Sequence, residues 1–135
     1  MIDVTCAIII SDGIVLIAQR GAGMVRAGRW EFPGGKIVEG ESREECIVRE
    51  IKEELSIDIA VIEWLTPVEH SYPDVRIRLM PCFAEITGGT INLTEHSKYE
   101  WVKAENLLTY DLSPADVAVV EQVLLQTKKD YNKKV

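Results

Sequence analysis

The chain has 135 residues, 47% of them hydrophobic and 27% charged, which fits one globular domain spanning residues 1–135 and is short for two. Its net charge of -7 argues against a nucleic acid polymer or a membrane surface as partner, since both attract a basic face. It does not exclude a small phosphorylated ligand, which an acidic site can bind as a metal complex.

The N-terminal stretch MIDVTCAIII lacks a basic flank and is too short to span a membrane. Cys6, Cys46 and Cys82 stand singly in apolar surroundings, without the spacing of a zinc site or a disulfide framework. A cytoplasmic protein with buried free thiols is expected.

In chain order, Val4 to Ser11 and Ile14 to Gln19 are β-branched runs joined by Asp12-Gly13, the pair best suited to a two-residue hairpin. Arg20 closes the second strand, and a glycine-rich loop leads to Trp30-Glu31-Phe32-Pro33-Gly34-Gly35, where backbone without a Cβ can approach a ligand closely. Ser42 and Glu45 form a capping box that opens a helix. Ile47, Val48, Ile51 and Leu55 give that helix an apolar face.

Ile57 to Trp64 reads as a strand, His70 to Asp74 as a turn, and Val75 to Ile86 as a long strand with alternating wet and dry faces. A further strand is expected at Tyr99 to Val102. Ser113-Pro114 opens a second helix, to about Thr127, with Val117, Val120, Val123 and Leu124 at core spacing. The tail from Lys128 to Val135 is expected to be frayed or solvated.

The first helix carries Glu50, Glu53 and Glu54 on one side. Like charges at this spacing cost roughly 0.2 to 0.5 kcal/mol per pair, and the last turn of a helix prefers cations. A bound divalent cation reverses that sign, because Mg²⁺ and other hard ions take carboxylate oxygens.

Gly35, Glu41, Arg49, Glu50, Ile51, Glu53, Glu54 and Ile57 match the pattern G-x5-E-x7-R-E-U-x-E-E-x-G-U, with U a bulky aliphatic residue. On this pattern the chain resembles the Nudix hydrolases. The one departure is Ser56, where the family usually has a glycine suited to a left-handed helix end. LIAQR ending at Arg20, WEFPGGK from Trp30, YPD before VRIRL, and LSPAD ending at Asp116 are similar to the MutT-type branch, which includes oxidised-dGTP diphosphatases and CTP pyrophosphohydrolases.

The resemblance implies an α+β fold, the Nudix α/β/α sandwich with a mixed sheet between helices. It implies hydrolysis of a nucleoside diphosphate linked to another group, with Mg²⁺ or Mn²⁺ as cofactor. Glu53 and Glu54 are then the best metal ligands, with the Gly34 or Gly35 carbonyl, and Glu50 is either a third ligand or the group that takes the proton from water; Glu50 and Glu53 count as catalytic, with Arg49, which orients the glutamates. Arg49 is also placed to pair with Glu45 along the helix.

A carboxylate from outside the helix is expected too, Glu100 slightly ahead of Glu95, while His70 and His96 receive no role. Arg20, Phe32, Gly34 and Asp116 match positions that contact substrate. An ionised Asp116 only accepts hydrogen bonds, which suits an exocyclic amine such as that of cytosine and tilts the reading toward CTP-like substrates. A sugar nucleotide or dinucleotide, and a silent nucleotide-sensing domain, are the alternatives. The partner is a small nucleotide, and the protein a monomer or homodimer.

Overall fold

The computed structural model describes residues 1–133, with side chains as far as Gln126. Its spine is a pair of long parallel strands, β1 (Ile2–Ser11) beside β7 (Arg76–Gly89), in register from Ile2 opposite Ile77 to Ile9 opposite Ala84. The other pairings are antiparallel: β2 (Ile14–Gln19) with β1, β3 (Trp30–Glu31) and β8 (Lys98–Lys103) with β2, β4 (Gly34–Lys36) with β1, and β5 (Ile57–Trp64) and β6 (Val68–Ser71) with β7. The sheet is therefore mixed, as expected. Asp12 and Gly13 both take positive φ, the conformation a two-residue hairpin turn requires.

Alternation along the strands decides which helix covers which face. Ala7, Ile9 and Leu16 pack with Ile47, Ile51 and Leu55 of α1 (Arg43–Leu55). Ile8, Val15 and Ile17 pack with Val119, Val120 and Val123 of α2 (Pro114–Lys133). A 3₁₀ turn (Ala104–Thr109) leads from β8 toward α2.

The capping box is formed, with Ser42 Oγ accepting from Glu45 N–H at 3.1 Å and Glu45 Oε1 from Ser42 N–H at 2.9 Å. Ser56 supplies the left-handed helix end itself (φ 62), donating its N–H to the Lys52 carbonyl and its hydroxyl to the Asn92 carbonyl.

Several expectations need correction. Val48 and Val117 face outward, 38% and 44% exposed, and Cys46 and Val119 take the buried places instead. His70 and Ser71 belong to β6, because they pair with Ile77 and Arg76. α2 continues to Lys133 where fraying was expected from Lys128; residues 134–135 of that tail lie outside the described residues. Ser113 precedes α2, and its carbonyl accepts the Val117 N–H, but its buried hydroxyl has no hydrogen-bond partner and so does not cap the helix. The three cysteines are free and buried. Among the described residues no helix is long and apolar enough to cross a membrane.

Candidate active site

Beside the paired β1 and β4, where the first turn of α2 approaches the β3–β4 loop, lies a cleft of about 660 Å³. Its lining includes Gly34, Gly35, Glu50 and Glu54 as one group and Phe32, Tyr72, Ala115, Ser113 and Asp116 as another, with Arg20 and Glu31 close enough to both to act on Glu54 and Asp116 alike. Glycine is required in the first group. A Cβ on Gly34 would lie 2.0 Å from the Thr5 carbonyl oxygen, and one on Gly35 would lie 2.3 to 2.5 Å from the Glu50 carboxyl group.

Arg49 organises the glutamates of α1. It takes both oxygens of Glu41, Nη2 at 2.7 Å and Nε at 3.0 Å, and its Nη1 donates to Glu50 at 2.9 Å and Glu53 at 3.2 Å. The fork holds the Glu41 carboxyl down at about 2, the hydrogen bonds from Arg49 being the largest cause. The pairing of Arg49 with Glu45 expected from helical spacing does not form, because Glu45 is spent on the capping box.

Glu50 and Glu54 line the cleft. Glu53 points to its outside, its side chain 59% exposed against Arg49. Burial pushes the Glu54 carboxyl well up, and the carboxylates of Glu31 and Glu50 add to the shift.

Among the described residues no three His, Cys, Asp or Glu side chains are already gathered to hold a metal ion, and Glu50 is turned onto Arg49. The donor set nonetheless suits a hard dication. Glu50 and Glu54, both hard oxygen ligands, line the cleft with Gly35, whose lack of a Cβ lets the Glu50 carboxyl group lie against the backbone. The Gly35 carbonyl already accepts from the Thr5 hydroxyl at 3.2 Å.

Glu100 is not near this cluster. On β8 it stands opposite Ile17, on the α2 face of the sheet, and its carboxylate accepts the Tyr110 hydroxyl. Its neighbour Trp101 packs on the α1 side. A carboxylate that does line the cleft is Glu31, which sequence reasoning passed over. Glu31 Oε1 accepts from Arg20 Nη1 at 2.8 Å, and its Oε2 lies 2.8 Å from His96 Nε2. A signal was present: an acid between buried Trp30 and Phe32, beside a glycine turn, has a burial that needs explaining. Glu95 is exposed, while His96 is buried.

In the other group Asp116 is buried, and its Oδ1 accepts the Phe32 N–H at 3.2 Å. Burial raises its carboxyl well above the usual range, and Glu31 adds to the effect. Phe32 is both core, 2% exposed, and part of the cleft lining. Tyr72 accepts the Ala115 N–H at 3.1 Å through its hydroxyl, and the Arg26 guanidinium lies 4.0 Å over its ring.

A mixed sheet between two helices, with a glycine turn set against an acidic helix, defines the class. Residues 1–123 match the NUDIX domain, and the chain belongs to the Nudix hydrolase family. It is 39% identical over 121 residues, 90% of each chain, to the CTP pyrophosphohydrolase of Escherichia coli (strain K12). It is 41% identical over 81 residues to the 8-oxo-dGTP diphosphatase of Proteus vulgaris, 60% of this chain and 70% of that protein. The crystal structure of a MutT protein from Methanosarcina mazei Go1 superposes with a TM-score of 0.85 at 25% identity, covering 94% of this chain and 95% of that one.

Proposed function

We propose that the protein is a Mg²⁺- or Mn²⁺-dependent nucleoside triphosphate pyrophosphohydrolase, converting a triphosphate and water to a monophosphate and pyrophosphate. The observation that carries this reading is the shared cleft: Glu50, Glu54 and Asp116 all line it, with Glu50 against Gly35 and Asp116 against Phe32, so a base held at Asp116 directs its phosphates toward the carboxylates. The similarity to proteins named CTP pyrophosphohydrolase and 8-oxo-dGTP diphosphatase supports it.

The metal, when bound, supplies charge neutralisation on the phosphates and a water of lowered pKa. Glu50 and Glu54 would hold it, with Glu53 reached if Arg49 yields it. Arg49 keeps these acids oriented and, through Glu41, ties α1 to the segment after the glycine turn. Glu50, beside Gly35, is placed to accept a proton from the attacking water. Arg20 offers positive charge in the cleft.

Asp116 chooses the base. Ionised, it accepts from the exocyclic amine of cytosine; protonated, as its burial favours, it also donates to a carbonyl such as that of an oxidised guanine. Both substrate classes therefore remain within the reading, with CTP-like nucleotides first.

The test is pyrophosphate release with Mg²⁺ across CTP, dCTP, 5-substituted pyrimidine triphosphates, oxidised dGTP, dGTP, a sugar nucleotide and a dinucleotide polyphosphate. Turnover concentrated on CTP-like or oxidised purine triphosphates supports the proposal. Turnover confined to the sugar nucleotide or the dinucleotide replaces it with hydrolysis of another diphosphate. Binding without turnover of any of them replaces it with a sensor.

A further inference from the structure

Behind the acidic residues of the cleft, the segment from 92 to 97 laces the C-terminal end of α1 to the end of β2. Asn92 N–H donates to the Leu55 carbonyl at 2.9 Å, Thr94 Oγ1 to the Glu53 carbonyl at 3.2 Å, and Ser97 N–H to the Gln19 carbonyl at 3.0 Å. These bonds satisfy carbonyls that a helix end and a strand end leave open. They also fix the backbone on both sides of His96. Gly21 packs so close to this segment that a Cβ there would meet the Glu95 carbonyl oxygen at 2.1 Å.

The His96 side chain is 1% exposed and sits between two acids. Nε2 is 2.8 Å from Glu31 Oε2, and Glu31 is gripped from its other oxygen by Arg20, so the ring stands at the end of a rigid chain. Nδ1 is 3.8 Å from Glu54 Oε2. Among the described residues neither of these two buried atoms has a hydrogen-bond partner, which is costly for groups out of reach of water. Their separation exceeds an ordinary N–H···O bond by roughly 1 Å, a gap that a small rotation of the Glu54 carboxylate closes. Glu31 and Glu54 line the cleft; His96 does not.

The geometry points to His96 as a positioning residue for Glu54. Its Nδ1 is the polar partner that Glu54 Oε2 lacks, and holding that oxygen leaves the rest of the carboxylate to face the cleft. His96 reaches neither substrate nor metal and acts through Glu54 alone. Hydrogen-bond partners of metal-binding side chains typically matter about 10- to 100-fold for metal affinity. The inference rests on the reading of Glu54 as a metal ligand, made above.

The test is Mn²⁺ binding to the nucleotide-free protein, followed by loss of the free Mn²⁺ electron paramagnetic resonance signal, so no turnover is needed. His96→Asn keeps an amide group near the place of Nδ1, whereas His96→Gln keeps one nearer Nε2, and His96→Leu keeps neither. The expected result is Mn²⁺ binding weakened about 10-fold or more in His96→Gln and His96→Leu, and largely retained in His96→Asn. Equal Mn²⁺ affinity in all of them, with only thermal stability lowered, overturns the inference and leaves His96 as core packing.

The parent protein gives a second readout should the variants not fold. Mg²⁺ alone is expected to shift the ¹⁵N resonances of the His96 ring and leave those of His70 in place; an unmoved His96 overturns the inference. Glu54→Gln separates the two levels of the argument. If it binds Mn²⁺ as the parent does, the ligand reading itself fails; if it loses Mn²⁺ while the His96 variants do not, only the positioning role fails.

Discussion

Asp116 Oδ1 accepts the Phe32 backbone N–H at 3.2 Å, joining the first turn of α2 to the loop before the glycine turn. One carboxylate thus ties the cleft wall together and lines the cleft. Asp116→Asn keeps an acceptor for Phe32 while replacing the second oxygen with a donor. It is expected to fold as the parent does and to shift preference from CTP toward guanine nucleotides. Asp116→Ala leaves the Phe32 N–H unpaired and is expected to cost about 1 to 3 kcal/mol. Relative kcat/KM values and melting temperatures check both; an unchanged ranking in Asp116→Asn leaves Asp116 as a structural tie only.

Gly34 and Gly35 are adjacent but are expected to fail differently. A methyl on Gly34 meets backbone, the Thr5 carbonyl, which cannot move without parting β4 from β1, so Gly34→Ala should lower the melting temperature severely. A methyl on Gly35 meets the end of the Glu50 side chain, which can swing aside. Gly35→Ala should therefore fold and lose activity and metal affinity. Circular dichroism melts alongside activity assays distinguish the two, and matching losses in both variants would refute this division.

Stability without metal should fall as pH rises, whereas the stabilisation that Mg²⁺ adds should grow. Burial raises the carboxyls of Glu54 and Asp116, so the folded protein holds protons that the unfolded chain releases. Without metal, their contribution is fully present below the unfolded values, near 4, and declines as pH rises toward the raised folded values. Mg²⁺ favours the ionised form of Glu54, so the melting-temperature rise it produces should be larger at pH 8 than at pH 6. Glu54→Gln should remove most of that pH dependence. Equal Mg²⁺ stabilisation at both pH values would contradict the site.

Ser56 holds a backbone conformation that favours glycine, at φ 62, and offsets part of that strain by donating its hydroxyl to the Asn92 carbonyl. Ser56→Ala loses the bond and keeps the strain. Ser56→Gly loses the bond and relieves the strain, so it should be the more stable of the two by about 1 kcal/mol. Urea unfolding midpoints measure the difference; Ser56→Ala equal to or above Ser56→Gly would mean the strain is not what the chain tolerates here.

What the sequence made legible was what local chemistry decides. Asp12-Gly13 set the first hairpin, and Ser42 with Glu45 set the start of α1. β3, two residues long, and β4, three, were not legible, because pairing with β2 and β1 creates them rather than any pattern of their own. Nor does spacing say which face of the sheet a strand residue meets. Glu100 sits at a plausible sequence position, yet strand alternation sends it to the α2 side and Trp101 to the α1 side. Glu31 and His96 are 65 residues apart and meet only through the fold. Arg49 meets Glu53 at helical spacing, but its main partner, Glu41, lies beyond the reach of a helical spacing rule.

The most direct test is ³¹P NMR of CTP turnover with Mg²⁺ by the parent and by Glu54→Gln. The account predicts CMP and pyrophosphate in equal amounts from the parent, with little product from Glu54→Gln. Formation of CDP and orthophosphate, or undiminished turnover by Glu54→Gln, would contradict it.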